Sequence, residues 1–366
     1  MRLSFKSARL PALLIALLAV LLFLPVATVY YEAAGDSCAR CHEIRESRDA
    51  WRVSTHRAVK CQQCHGGVLT ADLGFHLNNA HRVLAHFRGK VPGRVRIKND
   101  DALRLVEQCR SCHQQQYADW QASRHSATYE RIFLDKDHNR KELLIDDCLR
   151  CHGMYYEGSI RDLVTPISTR GPWKLSDARL ATRPTIPCTA CHQMHRQGDP
   201  AVKPGPDAVP IAANEPVSRP SLGAFNRREM MHGSVRILAM PHMRDGRRVV
   251  RLSPDPRQGL CYQCHAPEPT FQVRTGDDRT PIGVHEGIGC LACHASHGQK
   301  TRASCATCHP RLSNCGQDVE KMDTTFKLPK SPHNIHFVKC LDCHPKGIPR
   351  KKKQDGTGWT ARVSAE

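Results

Sequence analysis

The chain has 366 residues, enough for two domains, but only 5% of them are aromatic and 24% are charged. Its mean hydropathy of −0.49 leaves little apolar side chain for ordinary hydrophobic cores. The formal net charge of +19 would ordinarily indicate a nucleic acid or an acidic partner.

The first predicted element is an uncharged, apolar segment over residues 10–31, which follows Arg2, Lys6 and Arg9. As a helix, these residues would rise about 33 Å, which is enough to cross a bilayer. A cleaved signal peptide is the alternative, but the chain offers only a poor A-x-A cleavage site for it. We therefore expect an uncleaved anchor with its basic end inside.

A five-residue motif, CxxCH, recurs nine times along the rest of the chain and uses 18 of its 19 cysteines. We call these segments haem words 1 to 9, in chain order. In such a word two thiols can add to the two vinyl groups of a haem, while the adjacent imidazole ligates the iron from one face. The cysteines are Cys38, Cys41, Cys61, Cys64, Cys109, Cys112, Cys148, Cys151, Cys188, Cys191, Cys261, Cys264, Cys290, Cys293, Cys305, Cys308, Cys340 and Cys343. The proximal histidines are His42, His65, His113, His152, His192, His265, His294, His309 and His344.

Zinc sites and disulfide frameworks also use cysteine pairs, but neither chemistry requires a histidine directly after each pair. Chance predicts about 0.06 copies of CxxCH in a chain of this length and composition. We therefore expect nine covalently bound haem c groups, each with its iron.

Thirteen of the 22 histidines lie outside the haem words, and nine haems need nine distal imidazoles if every iron binds two histidines. His195 and His297 each follow a proximal histidine by three residues, so they share its helical face and should ligate a neighbouring haem. His138 lies in a polar run and is the weakest candidate. The candidate distal ligands are His56, His76, His81, His86, His125, His195, His232, His242, His285, His297, His333 and His336.

The spacing of the haem words predicts the fold. About 34 residues per haem permit only short helices at the words, joined by irregular loops. We predict a mainly α protein with extensive irregular loops, a multihaem cytochrome c wrapped around a haem stack, with an N-terminal transmembrane helix. Nine haems would bring about 18 propionate charges, which nearly cancel the basic excess, so no nucleic-acid partner is expected.

Two groups of haem words suggest the domain organisation, because a proline-rich segment separates five words from four. That segment is either a linker or an extended strap over the haems. The predicted divisions are a membrane anchor or signal peptide (1–34), a five-haem domain (35–195), the linker or strap (196–222), a four-haem domain (223–345) and a basic flexible tail (346–366).

Two segments of the first group share one spacing of Trp, Ser and His, which indicates an internal duplication. We call them the echoed segments. DAWRVSTH ends at His56 and ADWQASRH ends at His125, each a short distance after a haem word. The shared spacing predicts a helix that sets Trp51 or Trp120 against a porphyrin and carries the histidine to an iron. Plain core packing of the two tryptophans is the alternative.

Residues 10 to about 115 resemble the membrane-anchored quinol dehydrogenase cytochromes of the NapC/NirT/NrfH type. The segments CARCHEIRESRDAWRVSTHRAVKCQQCHGG, FHLNNAHRVLAHFRGK and VEQCRSCH carry that resemblance. Residues 105 to about 195 look like a cytochrome c-554 module, through CRSCHQQQYADWQASRHSATYE and DDCLRCHG. Some members of the first family bind haem 1 through a methionine just after the word, where this chain has Glu43, Ile44 and Arg45.

The resemblance implies a membrane-tethered nonahaem cytochrome that transfers electrons between the membrane quinone pool and an exported redox partner. Its expected partners are membrane quinol or a quinol-oxidising complex and an exported redox protein. We expect it in the inner membrane, inserted by the N-terminal helix, with the haem domain on the periplasmic side. Electron conduction requires no catalytic acid, base or nucleophile, so no catalytic residue is predicted.

The alternative function is that of an oxidoreductase acting on a small nitrogen or sulfur compound at one haem with an open distal face. No CxxCK word, which binds the active haem of ammonia-forming nitrite reductases, occurs in the chain. Cys315 lies outside the haem words and is either a free thiol, a distal thiolate or a crosslink.

Overall fold

The computed structural model describes eleven stretches of the chain. Haem word 8, nearly all of word 9, Cys315 and most of the predicted linker and tail lie outside them. The described residues are 9–32, 38–66, 73–90, 97–195, 222–235, 237–266, 272–273, 278–298, 335–339, 341 and 346.

The chain divides into two compact units. Unit 1 comprises Met1–Met240, Asp255–Cys264 and Ser296–Lys300, and unit 2 comprises Pro241–Pro254, His265–Ala295 and Thr301–Glu366. Unit 1 thus holds haem words 1 to 5 and both cysteines of word 6.

The described helices other than the first have 15 residues or fewer. They are α1 (Arg9–Glu32), α2 (His42–Val53), α3 (Cys61–His65), α4 (Leu73–Phe87), α5 (Asn99–Cys112), α6 (Gln114–Gln121), α7 (Tyr129–Phe133), α8 (Lys136–Asn139), α9 (Cys148–Cys151), α10 (Ile160–Leu163), α11 (Gln258–His265) and α12 (Cys290–Cys293). Helices α3, α9 and α12 consist of little more than a haem word. One helical turn is what the CxxC spacing needs, since residues i and i+3 lie on the same face of a helix.

In the described part of the chain, three two-stranded antiparallel sheets lie between the helices. Strands β1 (Val164–Thr165) and β2 (Lys174–Leu175) form the first, and β5 (Arg244–Asp245) and β6 (Arg248–Val249) form the third. The second is a hairpin of β3 (Gly223–Asn226) and β4 (Met231–Ser234), in which Phe225 lies opposite His232. The prediction of a mainly α fold was therefore wrong. The described residues are only partly helical, because 3-10 turns, short sheets and irregular segments join the one-turn helices.

The predicted N-terminal transmembrane helix was also wrong. Helix α1 forms where the apolar segment was expected, but it contains Pro25 and ends at Glu32. Among the described residues, no helix is both long and apolar enough to cross a membrane.

A conventional apolar core lies in unit 1, next to haem word 4. Leu103, Phe133, Leu149 and Leu163 are among its buried members, and the last three are fully buried. Leu149 belongs to word 4 itself, which fixes the backbone of that word to the core. The chain therefore builds part of its core from ordinary side chains, which the low aromatic content did not predict.

We predict that Leu163→Ala destabilises the protein by about 2–5 kcal/mol, because the substitution removes a fully buried side chain and leaves a cavity. Denaturant unfolding followed by haem absorbance measures the change. Leu143→Ala is the control, since Leu143 is 50% exposed and its loss should cost less than about 0.5 kcal/mol. Equal effects of the two substitutions would contradict the described core.

Candidate haem-binding sites

Six haem words have both cysteine side chains described, and none of these cysteines is in a disulfide. In words 2, 4 and 7 the helices α3, α9 and α12 bring the two cysteines one turn apart. Haem attachment requires two thiols on one side of the backbone, and this geometry supplies them. Words 1 and 5 begin in 3-10 turns, Cys38–Arg40 and Cys188–Ala190.

Five proximal histidines each lie beside a candidate distal histidine from another part of the chain. The ring centroids are 5.3 to 6.0 Å apart. The pairs are His42 with His86, His65 with His195, His113 with His56, His192 with His297 and His294 with His336.

These separations fit two imidazoles that bind one iron from opposite faces. A metal–nitrogen bond is about 2.0 Å long and a ring nitrogen lies about 1 Å from the ring centre, so the two centroids should be about 6 Å apart. The observed separations are close to that requirement, and each pair joins one residue of a haem word to one residue outside it. Between His42 and His86 lies a third group, because Oε1 of Glu43 is 3.3 Å from Nε2 of His42 and 2.6 Å from Nδ1 of His86. The donor sets of the other four pairs therefore fit bis-histidine haem.

The two histidines that follow a proximal histidine by three residues lie beside a different word. His195 is 5.4 Å from His65 of word 2, and His297 is 6.0 Å from His192 of word 5. Residues 192–195 and 294–297 are not helical in the structure, yet each spare histidine still lies beside the proximal histidine of another word. The segment from His192 to His195 therefore contributes to two candidate haem sites.

Three of the paired imidazoles have lowered pKa values. Burial lowers the pKa of His195 to about 4, and His65 nearby adds to the effect. Burial likewise lowers the pKa of His336 to about 4, with His294 as the next cause, and it lowers the pKa of His65. These rings are therefore neutral at pH 7, which is the form of histidine that binds a metal.

Hydrogen bonds at Nδ1 orient several of the predicted ligands. His285 has Nδ1 3.1 Å from the carbonyl oxygen of Ile335, which makes Nδ1 the donor and leaves Nε2 able to bind a metal. His86 has Nδ1 2.6 Å from Oε1 of Glu43. The pKa of Glu43 is lowered, first by its own backbone N–H and then by its hydrogen bond with His86, so the carboxylate stays ionised.

The two echoed segments adopt the same local structure. Ser54 Oγ donates to the Trp51 carbonyl at 2.8 Å and accepts the backbone N–H of His56 at 3.1 Å. In the second copy, Ser123 makes the same two bonds at 2.7 and 3.1 Å, to Trp120 and His125. The predicted duplication therefore extends to hydrogen bonding, and the shared serine ends each helix and turns the chain towards the histidine.

The indole nitrogens of the two echoed segments donate hydrogen bonds to backbone carbonyls. Trp51 Nε1 donates to the carbonyls of His56 and Val59 at 2.8 and 2.9 Å, and Trp120 Nε1 donates to that of Ile186 at 3.2 Å. Each tryptophan therefore fixes a neighbouring backbone segment by a hydrogen bond.

Haem word 5 is held by two side chains that converge on one carbonyl group. The hydroxyl of Tyr155 and Nε2 of His232 each lie 2.7 Å from the carbonyl oxygen of Thr189. Tyr155 also stacks on Phe225 of strand β3, with ring centroids 4.0 Å apart. His232 thus uses Nε2 to donate to the backbone of word 5, a contact that its sequence position did not reveal.

The haem words of unit 1 contact one another through their thiols. Cys109 of word 3 donates to Cys188 of word 5, which raises the pKa of Cys109 and lowers that of Cys188. Cys264 of word 6 makes a hydrogen bond with Cys151 of word 4, which raises the pKa of Cys264.

Further contacts extend this series of words. Burial raises the pKa of Cys64 in word 2, and the nearby Cys109 of word 3 raises it further. Burial likewise raises the pKa of Cys191 in word 5, and Cys261 of word 6 adds to it. Arg150 Nη1, inside word 4, donates to the Gln263 carbonyl of word 6 at 3.2 Å. Words 2, 3, 5, 6 and 4 therefore lie near one another in a continuous series.

The remaining predicted ligands fall into three groups. His81, His125 and His242 are exposed. His152 and His265 are half-buried, and Nδ1 of His152 lies 3.4 Å from the Thr185 hydroxyl oxygen. The side chains of Cys38 and His76 lie outside the described residues, as do Cys305, Cys308, His309, His333, Cys340, Cys343 and His344.

Comparison with known proteins supports the cofactor assignment. Residues 32–203 match the family model described as outer membrane cytochrome MtrC/MtrF-like, domains II/IV. This match covers 172 of the 366 residues, and it includes haem words 1 to 5. No curated protein and no solved structure matches the chain.

The prediction of a multihaem c-type cytochrome is thereby confirmed. The protein is a multihaem cytochrome involved in electron transfer, and it carries covalently bound haem c. The match does not support the resemblance to the NapC/NirT/NrfH family.

We predict that His195→Ala produces a high-spin ferric signal equivalent to about one haem, because it removes the imidazole that faces His65. Low-temperature EPR of the oxidised protein, with haem quantified on the same sample, detects that signal. His138→Ala is the control, since His138 lies 3.5 Å from Glu142 in a surface pair. A fully low-spin His195→Ala variant would exclude His195 as a ligand.

Tyr155→Phe should lower the free energy of unfolding by about 1 kcal/mol, since it deletes one hydrogen bond to Thr189 and keeps the stacked ring. Guanidinium unfolding of the haem-loaded protein gives the value. The half-buried neighbour Tyr156 supplies the control, and Tyr156→Phe should change stability by less than half as much. If both substitutions lower the free energy of unfolding equally, the hydrogen bond from Tyr155 to the Thr189 carbonyl contributes nothing.

Proposed function

We propose that this protein carries nine haem c groups, one on each haem word, and that it transfers electrons to or from an exported redox protein. The observation that carries the proposal is the close succession of words 2, 3, 5, 6 and 4 in unit 1. Prosthetic groups attached to adjoining words are held beside one another, which is the arrangement that electron conduction requires.

The role of the chain is to hold, orient and cover its cofactors. The cysteines of each word supply the covalent attachment, and His42, His65, His113, His192 and His294 would supply the proximal imidazoles. When bound, each haem supplies a one-electron iron couple whose potential depends on its ligands and its burial. The paired imidazoles leave neither face of such a cofactor for a substrate, which favours a carrier over an oxidoreductase.

Burial and hydrogen bonding support the same function. His195 and His336 are held neutral by desolvation, and His285 is oriented by a backbone carbonyl. The position and the protonation state of a ligand that is already neutral and fixed change little when the metal changes its charge. Small rearrangement on gain or loss of an electron is what a carrier protein needs.

The partners and the compartment follow from cofactor chemistry and from the sequence resemblance. Covalent attachment to CxxCH words is typical of exported cytochromes, so we place the haem units on the extracytoplasmic side of the inner membrane. A quinol-oxidising complex is the proposed electron donor and an exported redox protein is the proposed acceptor. The excess of basic residues neutralises the propionates, so nucleic acid is not a partner.

The test is to purify the full chain and measure its haem content, spin state and reactivity together. We expect a mass equal to the polypeptide plus nine haems, low-spin ferric EPR signals only, and full reduction by a low-potential electron donor. Rapid reoxidation by an added exported cytochrome should follow in stopped-flow absorbance.

Two results would overturn parts of this proposal. A high-spin signal near one haem equivalent would indicate an iron with an open face and would favour the oxidoreductase. A mass that corresponds to fewer haems would remove the assignment of one haem to each word.

A further inference from the structure

The β3–β4 hairpin contacts haem word 5 through one of its faces. Phe225 and His232 lie directly opposite each other across the two strands, so their side chains project from the same face of the hairpin. The Phe225 ring stacks on Tyr155, with ring centroids 4.0 Å apart. Nε2 of His232 lies 2.7 Å from the Thr189 carbonyl oxygen, to which Tyr155 also donates at 2.7 Å. The hairpin, Tyr155 and word 5 therefore form one connected cluster.

A second set of contacts joins the same hairpin to the end of word 5. The Gly223 N–H donates to the Cys191 carbonyl at 3.1 Å, and Leu222 pairs with His192 in an antiparallel bridge. The hairpin thus contacts the word both in its middle and beside its proximal histidine. These two contacts together fix the backbone of word 5 on either side of its second cysteine.

We propose that His232 is a positioning residue for the haem sites of words 5 and 2, and that it is not itself an iron ligand. The inference rests on the proposed function, because it takes two of the described imidazole pairs as iron ligands. These pairs are His192 with His297 at word 5 and His65 with His195 at word 2.

One short segment of the chain carries a ligand of each of these two sites. His192 belongs to word 5, and His195 lies three residues further along, 5.4 Å from His65 of word 2. Beyond the 3-10 turn Cys188–Ala190 this segment has no helix that would fix it. Its position therefore depends on its contacts with the hairpin, and a displacement of the segment moves a ligand of both sites.

The ring nitrogen that His232 uses distinguishes it from an oriented ligand. At His285, Nδ1 donates to the Ile335 carbonyl, which leaves Nε2 able to bind a metal. At His232 it is Nε2 that donates, to the Thr189 carbonyl. One nitrogen cannot give a proton to a carbonyl and a lone pair to an iron, so this hydrogen bond excludes ligation through Nε2.

Burial makes this cluster a rigid support for the segment. Tyr155, Thr189 and Phe225 are all buried. A hydrogen bond is stronger in such surroundings than in water, and a buried carbonyl that loses a donor is costly. Groups that hold the ligands of a metal in place also tune the metal, although they do not touch it. His232 therefore acts on two irons through the backbone of residues 189–195.

The test is low-temperature EPR of the oxidised, haem-loaded full chain and its variants, followed by reduction of the same samples with a low-potential donor. His195→Ala and His297→Ala identify the signals of the two sites, since each removes one ligand of one pair. His232→Ala deletes the donor, whereas His232→Gln keeps an N–H donor on a side chain of similar length. Glu229→Gln is the matched control, because Glu229 is exposed in the turn of the same hairpin.

We expect His232→Ala to leave every iron low-spin and to shift the EPR g values of the two identified signals together. The reason is that one displaced segment reorients His192 and His195 at once. His232→Gln should restore both signals to their original positions, and Glu229→Gln should move neither.

Three results would overturn the inference and leave the proposed function intact. A high-spin signal equivalent to about one haem in His232→Ala would identify His232 as a ligand. Unmoved signals, or a shift at only one of the two sites, would show that His232 does not position the shared segment. A shift that His232→Gln fails to reverse would show that the hydrogen bond is not its cause. Irons of the unmodified chain that accept no electrons would instead defeat the proposed function.

Discussion

The structure depends on one geometric requirement, that two imidazoles from separate parts of the chain meet about 6 Å apart. Five pairs satisfy it, and their members are separated by between 42 and 130 residues along the chain. Each pair therefore closes a long loop, which costs conformational entropy that a short helix alone could not offset. Metal–ligand bonds and covalent attachment are strong enough to do so, and they explain how a chain with so little regular structure keeps a defined fold.

Supporting contacts at the haem words come from ordinary side chains. Leu149 anchors word 4 in an apolar core, and Tyr155 and His232 converge on the Thr189 carbonyl of word 5. Such contacts fix the backbone of these two words.

Charge and burial act together at these sites. Desolvation keeps His65 and His195 neutral, whereas the carboxylate of Glu43 is ionised and lies against His86. The same type of ligand therefore lies in different electrostatic surroundings at two sites. Since potentials follow ligand basicity and solvent exposure, a chain of identical haems can still present graded potentials.

The sequence by itself determined the cofactor and its attachment, because CxxCH spacing is dictated by covalent chemistry that acts within five residues. It also indicated that His195 and His297 lie beside another haem word, although the structure has no helix over 192–195 or 294–297. The mainly α fold and the transmembrane helix were wrong, because composition does not reveal how much of the chain between the haem words forms 3-10 turns, short sheets and irregular segments, and the apolar segment forms a helix that contains Pro25 and ends at Glu32. Only the tertiary structure brought His195 beside His65, His297 beside His192 and Glu43 beside His86. These contacts join residues far apart in the chain, and their distances depend on the packing of whole elements, which no local pattern encodes.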